Sequence, residues 1–215
     1  TVIVQEKVDG SNCSIAKLDD GRIVYLTRAG YEAHTSPYPQ HHRFAEWAKA
    51  HEGTWESLLG CGERLCGEWM AQAHGTRYNL PHDPFVAFDI MRGDERETYT
   101  EFSQRVRNFS IPIPRLISYG RPAPLKWVLK QIQTSGHGAI DAVEGAVWRV
   151  EREGKVDFLC KYVRPEKKDG IFLPEYNDGK THWNWEPEGL GEPCEPPHVS
   201  SPLPPPTPTQ ETAAQ

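Results

Sequence analysis

Glu6-Lys7-Val8-Asp9-Gly10-Ser11-Asn12 closes the first β-rich run of the chain, Val2 to Val8, and its Asp9-Gly10 pair is a turn signal. A lysine thus sits at a strand end, with a carboxylate and an amide just beyond a tight turn. One reading is a surface hairpin with a solvated lysine. The other is a nucleophile. An amine attacks only when neutral, so such a lysine needs its pKa brought down from about 10.4. Nearby cations, a metal ion or burial can do that.

Working outward, Cys13 to Lys17 and Arg22 to Arg28 read as two strands joined by the turn Asp19-Asp20-Gly21. Arg43 to His51 carries Phe44, Trp47 and Ala48 at helical spacing. Arg64 to Gln72 and Phe85 to Met91 read as strands, and Thr100 to Asn108 and Leu125 to Gln133 as helices. Glu144 to Val150 and Lys155 to Val163 read as a closing strand pair around Gly154. This pattern predicts an α+β domain of mostly antiparallel sheets with flanking helices, over residues 1–186. Composition shifts after Glu186: Pro187 to Gln215 holds nine of the 19 prolines and no apolar periodicity. That stretch, 187–215, is expected to be a disordered, proline-rich tail. Pro202 to Pro205 fits PxxP, so weak docking of a partner through the tail is the functional alternative.

The chain has 215 residues and a net charge of -6, with a pI of about 5.8. This disfavours a sequence-blind, charge-driven nucleic-acid binder but permits a local basic groove in an acidic body. Arg77, Arg105, Arg107, Lys126 and Lys130 are candidates for such a groove, or else solvated helix faces. No apolar run approaches the roughly 20 residues of a membrane span, and no signal peptide is apparent. Five cysteines without a CxxC pair read as thiols in a reducing cytosol, although Cys61 and Cys66 could be two metal ligands. The expected setting is cytoplasmic, and the expected state a monomer. Thr1 opens the chain inside a strand without a methionine, so upstream residues are expected.

Four further clusters carry chemistry in a fixed order. Gly67-Glu68-Trp69 places a carboxylate in an apolar strand, either facing outward or accepting ribose hydroxyls or a metal-bound water. Phe85-Val86-Ala87-Phe88-Asp89-Ile90 is a core strand in which Phe85 or Phe88 could stack on a base. Glu144-Gly145 precedes an apolar strand, and Lys161 and Arg164 emerge from another. Each alone reads as surface charge on a sheet. Together they supply a nucleophile, a ribose contact, a stacking ring, a metal carboxylate and phosphate-binding cations. Those are the parts needed for a lysine to attack the α-phosphorus of a nucleoside triphosphate.

These residues resemble the covalent nucleotidyltransferases: ATP-dependent DNA ligases, RNA ligases and mRNA-capping guanylyltransferases. Within that superfamily the sequence looks most like the RNA ligases related to the second T4-phage RNA ligase, over about residues 2 to 185. KVDGSN resembles the lysine motif, and its Asn12 leans away from capping enzymes, which usually carry arginine there. LCGEWMAQAH, FVAFDI, EGAVWR and LCKYVR resemble the later motifs in order, and His182-Trp183 is similar to a feature of short bacterial and phage relatives.

The resemblance implies a nucleotidyltransferase (ATP-grasp-like ligase) domain using ATP and Mg²⁺ or Mn²⁺. It implies that Lys7 forms the phosphoramidate with AMP and that Glu6 lies beside adenine, offering main-chain groups. Asn12 would lie near the phosphates and metal, and Arg28 at the ribose or phosphate. Glu68 would bind the ribose, Phe88 stack on adenine, and Glu144 act on the metal and the lysine. Lys161 would contact the α-phosphate and help depress the pKa of Lys7. The implied partner is a nucleic acid with 5′-phosphate and 3′-hydroxyl ends, RNA ahead of DNA, with no membrane involved. Val163 replaces the second lysine usual in the last motif, and Arg164 is assigned to pyrophosphate instead. Relatives usually have residues before the lysine motif and a further C-terminal domain. The rivals are a GTP-using capping-type transferase, a nucleotide- or nucleic-acid-end-binding module of the same fold without strand-joining turnover, and an α+β domain without such a site.

Overall fold

The computed structural model describes residues 1–186. The tail, with Cys194 and the Pro202–Pro205 match, lies outside the described residues. Two antiparallel sheets carry the chain, as the alternation of hairpin-like strands and intervening helices predicts. The first has the order β7-β1-β8-β9, built from β1 (Val2–Lys7), β7 (Leu116–Gly120), β8 (Gly145–Arg152) and β9 (Lys155–Val163). The second has the order β3-β2-β4-β5-β6, built from β2 (Ser11–Lys17), β3 (Ile23–Thr27), β4 (Glu63–Trp69), β5 (Phe85–Arg92) and the short β6 (Glu95–Arg96).

The Lys7-to-Asn12 stretch is the link between the sheets. Lys7 is the last residue of β1 in the first sheet, and Ser11 the first of β2 in the second. β1 pairs with β7 and β8, not with β2, so the surface-hairpin alternative does not hold. Helices α1 (Pro39–Ala50), α2 (Glu52–Leu58) and α3 (Tyr99–Arg107) contribute to the core on one face of the second sheet. There Phe44, Trp55, Trp69, Phe85 and Phe102 are fully buried. Helix α4 (Leu125–Gln131) covers the first sheet through Val128, which packs with Val4, Ile132, Val143 and Ala146. Thr98 and Glu101 form a reciprocal capping box that starts α3 one residue before its expected start.

Helix α2, strand β7, the two-residue β6 and 3-10 turns at Ala33–Thr35 and Pro174–Tyr176 go beyond the sequence expectation. Helix α2 was not anticipated, because Gly53 and Thr54 sit within its seven residues and only Trp55 and Leu58 bury. Strand β7 was also not anticipated. It follows Pro112 and Pro114 and lies at a sheet edge with no clean alternation of burial.

The motif glycines follow from close approach. A Cβ at Gly10 would stand 2.4 Å from the Trp69 carbonyl oxygen, and one at Gly145 would stand 1.9 Å from that of Tyr162. At Gly67 it would meet the Phe85 ring at 2.4 Å. Backbone or a core ring occupies the space a side chain would need.

Candidate active site

A cleft opens between the two sheets where they join. Its inner part is a cavity of about 220 Å³ lined by Lys7, Val8, Glu68, Phe88, Val147 and Leu159, among others. Its mouth is a wider hollow of about 710 Å³ that also reaches Lys7 and Glu68, and adds Asn12, Arg28, Glu144 and Lys161. Eight expected residues thus meet in one place: Glu6, Lys7, Asn12, Arg28, Glu68, Phe88, Glu144 and Lys161. They come from both sheets, which is why they are scattered in sequence.

Lys7 Nζ donates a 2.7 Å hydrogen bond to Glu144 Oε2, and the pair is largely buried. Burial works to lower the Lys7 pKa. Glu144, with Glu68 and Asp9 beyond it, outweighs that and holds it above the ordinary lysine value. The expected cationic depression of Lys7 is therefore not what surrounds it in the protein alone; its neighbours are carboxylates. The Glu144 carboxyl is raised by burial, against the opposing pull of Lys7. Burial, with Asp9 and Glu144 adding, pushes Glu68 up to about 7.

Of the two stacking candidates, Phe88 is the one that reaches the cleft. Phe85 is fully buried and stacks 5.7 Å from Phe44 in the core, whereas Phe88 lines the cleft. The two are three residues apart on β5, so the strand's alternation puts them on opposite faces.

Glu6 lines the inner cavity beside Lys7, but its carboxylate is engaged elsewhere. Its carboxylate is fully buried and accepts from Ser135 Oγ at 2.6 Å and the Gly136 N–H at 2.7 Å. Its own N–H donates to the Arg115 carbonyl. Glu6 thus fastens the segment after α4 against the cleft wall. Arg164 also turns away from the cleft. It donates to the carbonyls of Val143 and Ala142, its N–H bonds the Glu144 carbonyl, and it pairs with Glu166. It braces the chain that carries Glu144.

The sequence reading gave no role to Asp9 individually, and passed over Lys167 and Asp169. Asp9 is buried and accepts from Lys167 Nζ at 2.7 Å and the Gly75 N–H at 2.8 Å. Carboxylate oxygens of Asp9, Glu144 and Asp169 lie within 4.8 Å of one another, the candidate metal-holding group among the described residues. An all-oxygen donor set suits a hard divalent cation. Cys61 is exposed and Cys66 buried, and neither joins such a group. Nothing in the Glu166-Lys167-Lys168-Asp169 run marks it in sequence. It reaches the site because the segment from Arg164 to Glu186 folds back, with Phe172 bonding His74 and Asn184 bonding Ala71 through main chain.

The five groove candidates do not line the cleft. Arg77 is bound bidentately by Asp141, and Arg105 by Glu63 and Glu97. Arg107, Lys126 and Lys130 are exposed on α3 and α4. The solvated-face alternative holds for these three, and ion pairing accounts for the other two.

The family model for RNA ligases matches residues 1–163. The chain belongs to the RNA ligase family. Its fold is that of a solved Naegleria gruberi RNA ligase with PPi, at 19% identity and a TM-score of 0.55, covering 82% of this chain and 52% of that one. A variant of that ligase with AMP and Mn gives 18% identity and a TM-score of 0.54, covering 75% and 49%. An archaeal ATP-dependent RNA ligase gives 22% identity and a TM-score of 0.47, covering 75% and 42%. The chain therefore spans about half the length of these solved ligases. Comparison with curated proteins gave no match. Among the described residues, no helix is long and apolar enough to cross a membrane.

The burial of Glu68, with Asp9 and Glu144 beside it, carries an energetic cost. An acid raised from 4.5 to about 7 holds a proton in the folded state that the unfolded state has released. Its contribution is therefore unfavourable above pH 7 and fades as pH falls towards 4.5. Fully expressed, that shift is on the order of 3 kcal/mol. Solvent in the open cleft reduces it to about 1–2 kcal/mol, or about 3–6 °C in Tm. Glu68→Gln is expected to melt higher than the parent at pH 8 and at the same temperature at pH 5. Paired thermal melts check this. An equal shift at both pH values would mean that the charge is not the cause.

Proposed function

We propose that this RNA ligase family member is an ATP-dependent polynucleotide ligase that becomes adenylylated on Lys7. The observation that carries this reading is the Lys7–Glu144 pair, set at the joint of the two sheets beside Glu68 and Phe88 in one cleft. Solved ligases of the same fold hold AMP with Mn, or PPi.

In the first step the Lys7 nitrogen attacks the α-phosphorus of ATP. A nitrogen–phosphorus bond forms, the bond to the bridging oxygen breaks, and pyrophosphate leaves. Phe88 and Val147 would sandwich the adenine, and Glu68 would accept from the ribose hydroxyls. Asn12, Arg28 and Lys161 surround the mouth where the phosphates would sit; the two cations would offset their charge, and the Asn12 amide would donate a hydrogen bond. Glu144 orients Lys7 and is its nearest proton acceptor. Asp9, Glu144 and Asp169 would hold Mg²⁺ or Mn²⁺. A divalent cation held there would offset the carboxylates that keep Lys7 protonated, so that burial, the largest influence on Lys7, would lower its pKa. In the later steps AMP passes to a 5′-phosphate end, and a 3′-hydroxyl displaces it to seal the strand. RNA is the preferred substrate in this reading.

The test is incubation with α-labelled ATP and Mg²⁺ without nucleic acid, after which one portion is denatured to detect the adduct and the other, kept native, receives 5′-phosphorylated RNA. Label should stay on the protein as an acid-labile, alkali-stable adduct and move to the RNA end. Labelling by GTP in place of ATP would instead select a capping-type transferase. Absence of an adduct with either nucleotide, on protein shown by mass to carry no AMP beforehand, would leave a binding module.

A further inference from the structure

The face of the second sheet that carries Asn12 and Glu68 continues past them. Asn12 is paired with Glu68 across β2 and β4, Ser14 with Cys66, and Ala16 with Arg64. On the next strand Met91 pairs with Arg64. The face therefore passes from the layer assigned to the nucleotide, through a layer of small side chains, to one headed by arginine. Asn12, Ser14, Cys66, Arg64 and Met91 floor a hollow of about 490 Å³ that shares Asn12 and Arg28 with the mouth of the cleft, and Phe88 with its inner cavity.

Arg64 is notable for what it lacks. It forms no ion pair among the described residues, and its guanidinium bonds Met91 Sδ at 3.6 Å, a weak acceptor. In a chain of net charge -6, Arg77, Arg105 and Arg149 are all held by carboxylates. Arg64 and Arg28, at the two ends of this hollow, are not. Arg64 stands four residues from Glu68 along β4, about 13 Å at the usual strand rise. That is too far for the AMP assigned to Lys7 and Glu68.

We infer that this hollow is the track for the RNA strand whose 5′-phosphate receives AMP, and that Arg64 anchors one of its internal phosphates. The end phosphate would enter at Arg28 and Asn12. The small floor of Ser14 and Cys66 lets the sugar-phosphate chain lie close to the sheet, and Arg64 then meets a phosphate further along. Contacts of this kind set position without reading sequence. The inference rests on the ligase reading for its direction, but its central contact can be tested without ATP.

The experiment measures anisotropy of a labelled, 5′-phosphorylated single-stranded RNA over a series of KCl concentrations, with the parent, Arg64→Gln and Arg64→Glu. Arg64→Gln keeps the stem that packs on Met91, and matching melting temperatures verify the fold. Arg64→Gln is expected to weaken binding about five- to ten-fold and to make the log–log salt slope shallower by about 0.7, the value for one lost single-strand phosphate contact. Arg64→Glu should weaken it further. Labelling of Lys7 by ATP should be unchanged in both, while AMP transfer to RNA slows. Unchanged affinity and slope in both folded variants would overturn the proposal, even where labelling persists. Loss of RNA affinity in a protein that never takes up AMP would keep the track and overturn the ligase reading.

Discussion

Lys7→Ala is expected to take up no covalent AMP, a loss of at least roughly 10³-fold, the scale set by deleting an essential nucleophile. Two other lysines are near enough to matter, and neither is placed to replace it. Lys167 Nζ is side-chain buried and bonded to Asp9 and Thr76. Lys161 extends from β9 on the far side of the mouth. Lys7→Arg is expected to fail equally, because a guanidinium stays protonated and cannot attack. The alanine variant also leaves Glu144 and Glu68 without the cation that pulls both carboxyls down. Its melting temperature should therefore fall more at pH 8 than at pH 5, since protonation at low pH removes the unpaired charge. Labelling with α-labelled ATP and paired melts are the measurements. Full labelling of Lys7→Ala would place the nucleophile elsewhere and end the Lys7 reading.

How far the sequence announced this site depends on what kind of information each residue carries. Gly10, Gly67 and Gly145 are legible because backbone or a core ring fills the space a side chain would need, so the acid next to each one, Asp9, Glu68 or Glu144, is marked by its neighbour. The strands are legible because β2, β4 and β5 each bury one face against the helices. Asp9 and Asp169 carry no shared signal in the sequence, because their meeting depends on a return of the chain across 160 residues (169 − 9). Nor does composition separate a phosphate-binding arginine from a bracing one. Arg164 follows a lysine motif and braces the backbone, while Arg64 sits in an ordinary-looking strand and faces a hollow. The difference lies in which carboxylates or carbonyls come within reach, and that is decided by sheet order. The transition of the chain from one sheet to the other between Lys7 and Ser11 was equally hidden. An Asp-Gly turn signal reads the same whether the next strand returns beside the first or leaves it.

The same two-sheet design predicts the largest structural effect. Arg149 of β8 and Asp89 of β5 form a buried ion pair across the sheets, with both side chains almost fully covered. Arg96 joins from the solvent side through a 2.9 Å bond to Asp89. The Arg149 guanidinium also donates to the carbonyls of Phe88 and Glu97. This latch closes the deep end of the cleft and holds the main chain of the ring expected to stack on adenine. Asp89→Ala leaves Arg149 buried with no carboxylate, and removing one partner of a buried pair costs about 3–5 kcal/mol. For a chain of this size that is roughly 6–20 °C in Tm. Replacing both partners, as Asp89→Leu with Arg149→Met, removes the stranded charge together with its partner and should recover much of that loss. Yet the double variant loses the bonds to Phe88 and Glu97, so its stability and its nucleotide affinity should part company. Melting temperature should return towards the parent while the ATP concentration needed for half-maximal labelling stays raised. If the single and double variants melt alike, the pair does not couple the sheets. If both properties recover together, the bonds to Phe88 do not set the ring.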